Sequence, residues 1–201
     1  MLILSVDPGL FGHLVLMRPC GEIIKDWPMP LDKAKKFCPR ETWKLLTEID
    51  LIAADQFEDI TVCIEQLLTL PSDRNQLELM VNDIEAKSKD GKHDQDAFDR
   101  LNKQLKRKDG ILGIRTQSVN FGILVGQFVA QGWRYITVMP RIWQAEIKPF
   151  SEPRPTAKLR SYDAAKKLYP NLTLETKRGK IIDGLVDALG IGYYARQKLK
   201  T

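Results

Sequence analysis

The chain opens on two short apolar runs, Leu2–Val6 (LILSV) and His13–Met17 (HLVLM), with Asp7-Pro8-Gly9 and Gly12 between them. Nearly continuous runs of this kind predict short strands buried on both faces, and the Pro-Gly signal with a second glycine turns the chain back into a hairpin. Residues 21–27, following the turn Pro19-Cys20-Gly21, predict a third strand and so a three-stranded antiparallel meander, stopped by Pro28 and Pro30. The period then changes. Over 41–57, Leu46, Ile49, Ala53 and Phe57 recur at three- and four-residue steps, predicting an amphipathic helix that covers one face of the sheet. Ile60–Glu65 (ITVCIE) predicts a second buried strand, which a right-handed crossover lays parallel beside the first.

Between 72 and 110 charged residues alternate in sign and apolar ones thin out. Leu77, Leu79, Met80 and Ile84, then Phe98, Leu101 and Leu105, predict two weakly amphipathic helices around the break Lys89-Asp90-Gly91-Lys92. The expectation is a charged helical arm inserted into a single domain that spans 1–201. It serves either as a solvated surface or as an arm that grips DNA or forms a dimer. Ser118 is expected to cap a helix bearing Phe121, Leu124, Val125 and Phe128, with Gly122 and Gly126 on a smooth second stripe and Gly132 at its end. Residues 133–138 predict a strand, stopped by Pro140, and Arg141-Ile142-Trp143-Gln144 a short helical turn. Residues 156–169 predict a basic helix with Leu159, Tyr162 and Tyr169 inward. Residues 181–199 predict a last helix, with Ile182, Val186, Leu189 and Tyr193 on one stripe. The pattern predicts an α/β fold: a mixed sheet, meander plus parallel strands, flanked by helices.

At 201 residues and 43% hydrophobic, the chain can bury a core as one domain. Its formal charge of +5 is compatible with a polyanionic partner. Residues 154–180 carry eight Lys or Arg against only Asp163 and Glu175. Three cysteines, Cys20, Cys38 and Cys63, without a CxxC spacing fit reduced thiols in a cytosol-like compartment. No apolar run approaches the roughly 20 residues of a membrane span, and no signal or transit segment is read at the start, so a cytoplasmic, DNA-associated protein is expected.

Four acids carry the candidate chemistry. Asp7 and Glu65 each end a buried strand, where a carboxylate costs desolvation energy unless a cation meets it. Asp7 alone could equally cap its turn. Parallel pairing of the two strands, however, brings Asp7 and Glu65 to one end of the sheet. Asp183 and Asp187 stand one helical turn apart and point the same way, beside Gly184, Ala188 and Gly190, whose small size lets the helix lie tightly on that end. Like charges so placed could be plain dipole-complementing acids. Aimed at Asp7 and Glu65, they complete a set of four hard oxygen donors, which suits magnesium or manganese. Two such ions, roughly 3.5 to 4 Å apart, can hold the attacking and leaving oxygens of a phosphodiester.

The segments VDPG, CIEQ, TQSVNFGILVGQ, VMPRIWQ, KLRSYDAAKKLYPNL and DGLVDALGIGYYA, in this order, resemble the RNase H-like nucleases and, within them, the RuvC-type Holliday junction resolvases. The Pro-x-x-Trp segment and the Lys-rich helix stopped by Pro-Asn are similar to the phage and organellar branch, so a phage- or virus-encoded source is compatible. The resemblance implies a homodimeric, magnesium-dependent endonuclease that nicks four-way DNA symmetrically and leaves 5′-phosphate and 3′-hydroxyl ends. Asp7, Glu65 and Asp187 match metal ligands, Asp183 an additional acidic or histidine position, and Lys158 a basic position in the penultimate helix. Expected phosphate contacts are Arg141, Lys158, Arg160, Lys166, Lys167, Lys177, Arg178 and Lys180, though those on the basic helix read equally as plain surface. Three features depart from the family. The last two acids are four apart where many members have three, Leu67-Leu68 stands where bacterial members often carry an aromatic, and the charged arm from Ser72 to Asp109 is longer than the family's usual loop. A broader branched-DNA nuclease, an RNA:DNA hybrid nuclease and a simple nucleic-acid binding module remain alternatives. The three or four acids beside the basic face argue against the last.

Overall fold

In a computed structural model, residues 1–66, 111–154 and 156–199 are described. The chain divides into two units, Met1–Leu67 with Asn120–Thr201, and Leu68–Val119. The charged arm expected over 72–110 lies outside the described residues. In the first unit, β1 (Leu2–Val6), β2 (His13–Met17), β3 (Ile23–Pro28), β4 (Ile60–Glu65) and β5 (Arg134–Val138) form one sheet in the order β3-β2-β1-β4-β5. The pairs β3/β2 and β2/β1 are antiparallel, and β1/β4 and β4/β5 are parallel. This is the expected mixed sheet, meander on one side and parallel strands on the other.

Strand alternation divides the sheet into two faces. Leu2, Leu4, Val6, Leu14, Leu16, Ile60, Val62 and Ile64 pack against α1 (Pro39–Asp55) and α2 (Ile111–Ala130) through Leu46, Ile49, Leu124 and Phe128. Ile3, Val15, Met17, Cys63 and Val138 face α3 (Pro140–Ile147), α4 (Ala157–Leu168) and α5 (Asp183–Lys198). Side chains such as Leu46, Ile49 and Leu189, fully buried, each contribute about 1.5–3 kcal/mol by leaving water. Helix α5 is the centre of the second layer. Val186, Ala188, Leu189, Gly190, Ile191 and Gly192 are all buried, so it packs on more than the single stripe its apolar spacing predicts.

Three local expectations are corrected. Phe57 does not join the core stripe of α1: it is 98% exposed with φ 53°, and the helix ends at Asp55. The Phe57 amide donates to Ala54 O and the Glu58 amide to Ala53 O, a helix-ending arrangement that puts Phe57 in the left-handed region and swings it off the helical face. Ser118 is not an N-cap, because the helix already runs from Ile111. On α4 the buried face is Ser161, Ala164 and Ala165, with Leu159 and Tyr162 only half-buried, because small residues allow close approach to α5. Thr156 does cap that helix, its Oγ1 accepting from the Leu159 amide at 3.3 Å.

What sets α5 against the sheet is a contact between backbones. Gly184 pairs with Gly12 in an isolated parallel bridge, and a Cβ added at Gly184 would lie 2.6 Å from Gly12 Cα. No side chain fits between them. Gly184→Ala must push the helix off the Phe11-Gly12 backbone, with an expected loss of about 1–3 kcal/mol. It should also lower activity more than a matched destabilisation elsewhere would. Guanidinium-chloride unfolding alongside a cleavage assay checks both, and wild-type stability and activity in Gly184→Ala would contradict the contact.

Candidate metal and nucleic-acid site

The register explains how the strand-end acids meet. In β1/β4 the last pair is Val6 with Ile64, so Asp7 and Glu65 follow together at one end of the sheet. Alternation puts Glu65 on the same face as Thr61 and Cys63, and Asp7 on that of Ile3 and Ser5, which is the face α5 covers. The Gly184–Gly12 contact then lays the start of α5 over the same end, bringing Asp183 and Asp187 with it.

Partly buried Asp7, Glu65 and Asp187 interact electrostatically, and the charge of the more exposed Asp183 reaches Asp7 and Asp187. Burial pushes Asp187 up to about 8, and the charges of Asp7, Glu65 and Asp183 push the same way against a smaller pull from Lys158. Glu65 rises to about 7, first through burial and then through Asp7, with its hydrogen bond from Trp143 opposing. Asp7 is also raised, by burial and by Asp183, while the Gly9 amide holds it down. Negative charge is therefore concentrated here beyond what the surrounding protein neutralises.

Each acid is also positioned by the chain. The Gly9 amide donates to Asp7 Oδ1 at 2.9 Å, so Asp7 caps its own turn and still faces the other acids. Both readings of that residue hold together. Trp143 Nε1 donates to Glu65 Oε2 at 2.7 Å. The Trp143 ring is fully buried against Gly190, where a Cβ would lie 2.6 Å from Cζ3. Lys158 Nζ meets Asp183 Oδ2 at 2.5 Å, while Asp183 Oδ1 is buried with no hydrogen-bond partner. Among the described residues, no group of three or more His, Cys, Asp or Glu side chains stands close enough to hold a metal ion by itself. Trp143 and Lys158 each engage one acid.

The donor set nonetheless fits a hard dication. It is all carboxylate oxygen, one buried oxygen lacks a partner, and the mutual repulsion is of the sign a cation relieves. A cleft of about 280 Å³ opens beside it, lined by Asp183, Asp187, Lys158, Gln144, Ala157 and Ser161.

The expected phosphate-contacting cations fall into separate groups. Arg141 begins α3 and, with Arg160, lines a neighbouring groove. Lys158 sits in the acid cleft. Lys166 and Lys167 lie in the last turn of α4, roughly a dozen Å along the helix from Lys158. Lys166 Nζ stands 5.8 Å from the centre of the Tyr162 ring, and Lys167 is 3.9 Å from Glu152 Oε1. Lys177, Arg178 and Lys180 are exposed on a tight turn before α5, closed by the Thr176 amide bonding Lys180 O at 2.8 Å.

Sequence reasoning passed over three residues here. Trp143 was placed only on a helical turn, and its indole N–H, an obligatory donor when buried, was the available signal. His13 is buried at the start of β2, where its carbonyl accepts from the Asp7 amide, and its pKa is lowered first by burial, with Asp26 opposing at 3.7 Å. Phe11 is 76% exposed on the turn that carries Asp7, and the bridge to Gly184 fixes its neighbour.

No protein-family model matches the chain, and no curated protein matches it. Among solved structures, the chain is similar to Thermus thermophilus RuvC, with a TM-score of 0.49 and 12% identity over 98% of this chain and 97% of that one. It is similar also to T. thermophilus RuvC in complex with Holliday junction substrate, with a TM-score of 0.46 and 11% identity over 98% of this chain and 96% of that one. Among the described residues, no helix is long and apolar enough to cross a membrane.

Proposed function

We propose that the chain is a magnesium-dependent endonuclease of the Holliday junction resolvase type, acting as a two-fold homodimer on four-way DNA junctions. The observation that carries this reading is the coupling of Asp187 to Asp7, Glu65 and Asp183 at one end of the sheet, beside a cleft lined by Asp183, Asp187 and Lys158. Acids repel phosphate, so a surface that only bound nucleic acid would gain nothing from four of them. With a dication between acids and phosphate, the same acids become an asset.

A closed protein cage is not required. Magnesium keeps several waters and takes one or two carboxylates plus phosphate oxygens, so acids that do not by themselves form a metal-holding group can still serve it once phosphate is present, and manganese should substitute. When bound, a pair of ions activates the attacking water and stabilises the leaving oxygen. The chain itself fixes the donors: Asp7 through the Gly9 amide, Glu65 through Trp143, and Asp183 and Asp187 through the seating of α5. Lys158, about half exposed, can turn from Asp183 to a phosphate. The Pro140-to-Trp143 segment, similar to the phage and organellar branch, then has a structural meaning: it supplies the indole that orients Glu65.

One four-carboxylate site cuts one strand at a time. Resolution into two duplexes therefore needs a second site at fixed distance, which a C2 dimer supplies with the symmetry of the junction. A Cβ added at Gly122 or Gly126, on the smooth stripe of α2, would meet nothing within 4 Å among the described residues, and this stripe is the proposed face for a second copy. The test is a panel of labelled junction, flap, hybrid and duplex substrates with and without magnesium, together with a cruciform plasmid. Linear plasmid product and ligatable 5′-phosphate and 3′-hydroxyl ends are expected. Nicked circles without linear product, or a monomer by sedimentation on junction DNA, would favour the broader debranching nuclease, and preferential cutting of hybrids would favour the RNA:DNA nuclease.

A further inference from the structure

Beyond the acid cleft lies a larger groove of about 790 Å³, walled by α3, the 3-10 turn Lys148–Phe150 that follows it, and α4. Arg141, Lys148, Arg154 and Arg160 line it, and no acidic residue does. Gln144, Ala157 and Ser161 line both this groove and the acid cleft, so the two adjoin across these residues as a trough with acids in one part and cations in the other.

The four cations are not equivalent. Arg154 is neutralised by Asp163 at 2.6 Å and lies 3.8 Å from Glu152. Arg160 donates to Arg154 O at 2.8 Å, which fixes its guanidinium in place without discharging it. Among the described residues, no carboxylate pairs with Arg141, Lys148 or Arg160, so three uncompensated charges line a concave surface that leads away from the acids.

We infer that this trough is the bed of a single nucleic-acid strand: the sugar-phosphate chain runs from the phosphate at the acids into the groove, where Arg141, Lys148 and Arg160 meet the phosphates beyond. The inference rests on the nuclease reading above for its anchor at the acid end. A groove of about 790 Å³ between two helices is the size of a small-molecule site, enough to enclose a short stretch of one strand and too small to enclose a duplex. The strand must then be parted from its complement on that side of the cut. Branch points and single-stranded extensions provide this, and uninterrupted duplex does not.

The test uses the full chain with Asp7→Asn, which prevents cleavage, in EDTA, against a short labelled oligothymidylate and a four-way junction over about 50 to 200 mM salt. Arg141→Ala with Lys148→Ala should weaken oligothymidylate binding about tenfold and lower its log-log salt slope by about 1.4, two contacts at roughly 0.7 each. Arg141→Lys with Lys148→Arg should retain both values. Lys33→Ala with Lys36→Ala, the same charge loss on exposed residues leading into α1, should change neither. Arg141 and Lys148 are exposed, so an unchanged melting temperature verifies folding. An unaltered slope in the Arg141/Lys148 variant, or a loss matched by the Lys33/Lys36 control, overturns the strand bed and leaves the nuclease reading standing. Failure of the Asp7→Asn chain to bind any DNA overturns both.

Discussion

Asp7→Asn or Asp187→Asn is expected to lower magnesium-dependent cleavage of a four-way junction by on the order of 10³-fold or more, while DNA binding stays the same or tightens. Both residues belong to one interacting cluster, Asp7 at the end of β1 and Asp187 one turn into α5. Exchanging a carboxylate for an amide keeps the shape and removes a hard anionic donor. Loss of a metal ligand abolishes activation of water, and loss of a negative charge facing phosphate favours binding. A variant disturbed only in folding would lose both properties together. Junction cleavage and filter binding measured on the same preparation separate these outcomes, and retained nuclease activity in Asp7→Asn would remove the cluster from the reaction. Glu65→Gln should follow the same pattern, with its remaining oxygen still able to accept from Trp143.

The second large effect is a pH-dependent stability that divalent metal reverses. Asp187 rises from 3.8 to about 8 and Glu65 from 4.5 to about 7 in the folded chain, both first through burial. Between the ordinary and the raised values, the folded chain holds protons that the unfolded chain has released. Stability from these groups is therefore fully present at acid pH and lost as pH rises through about 7 and 8. His13 acts in the opposite sense, its pKa being lowered by burial, but below its ordinary 6.5. The informative window is thus about pH 6.5 to 8.5. Across it the metal-free chain should lose about 2 kcal/mol from Asp187 alone, a fall in Tm of several degrees for a chain of this size. Asp187→Asn should flatten most of that fall. On the proposed reading magnesium binds the ionised acids, and it should then raise Tm more at pH 8.5 than at 6.5. Thermal melts in EDTA and in magnesium at the two pH values decide it. A flat metal-free profile, or metal stabilisation that ignores pH, would contradict a shared buried charge.

The sequence by itself determined the sheet and the identity of the acids. Predominantly apolar runs bounded by turn residues specify β1, β2 and β4, because a strand buried on both faces is apolar at most of its positions, with only small or hydrogen-bonded polar residues such as Ser5 admitted. A carboxylate closing two such runs was visible as an anomaly, and the small residues around Asp183 and Asp187 announced close packing. Helix ends were less legible. Phe57 and Ser118 are apolar and capping residue types at plausible spacings, and only the chain path shows one turned out to solvent and the other inside a longer helix. The tertiary structure alone decided how the acids are held and what lies beside them. The partnership of Trp143 with Glu65 joins residues 78 apart in sequence, and that of Lys158 with Asp183 joins residues 25 apart. Neither pairing leaves a periodic trace, because it follows from the register of β1 on β4 and the seating of α5 on Gly12. The sorting of the cations has the same cause: Arg141 and Arg160 are distant in sequence and become one wall only when α3 and α4 pack around α5.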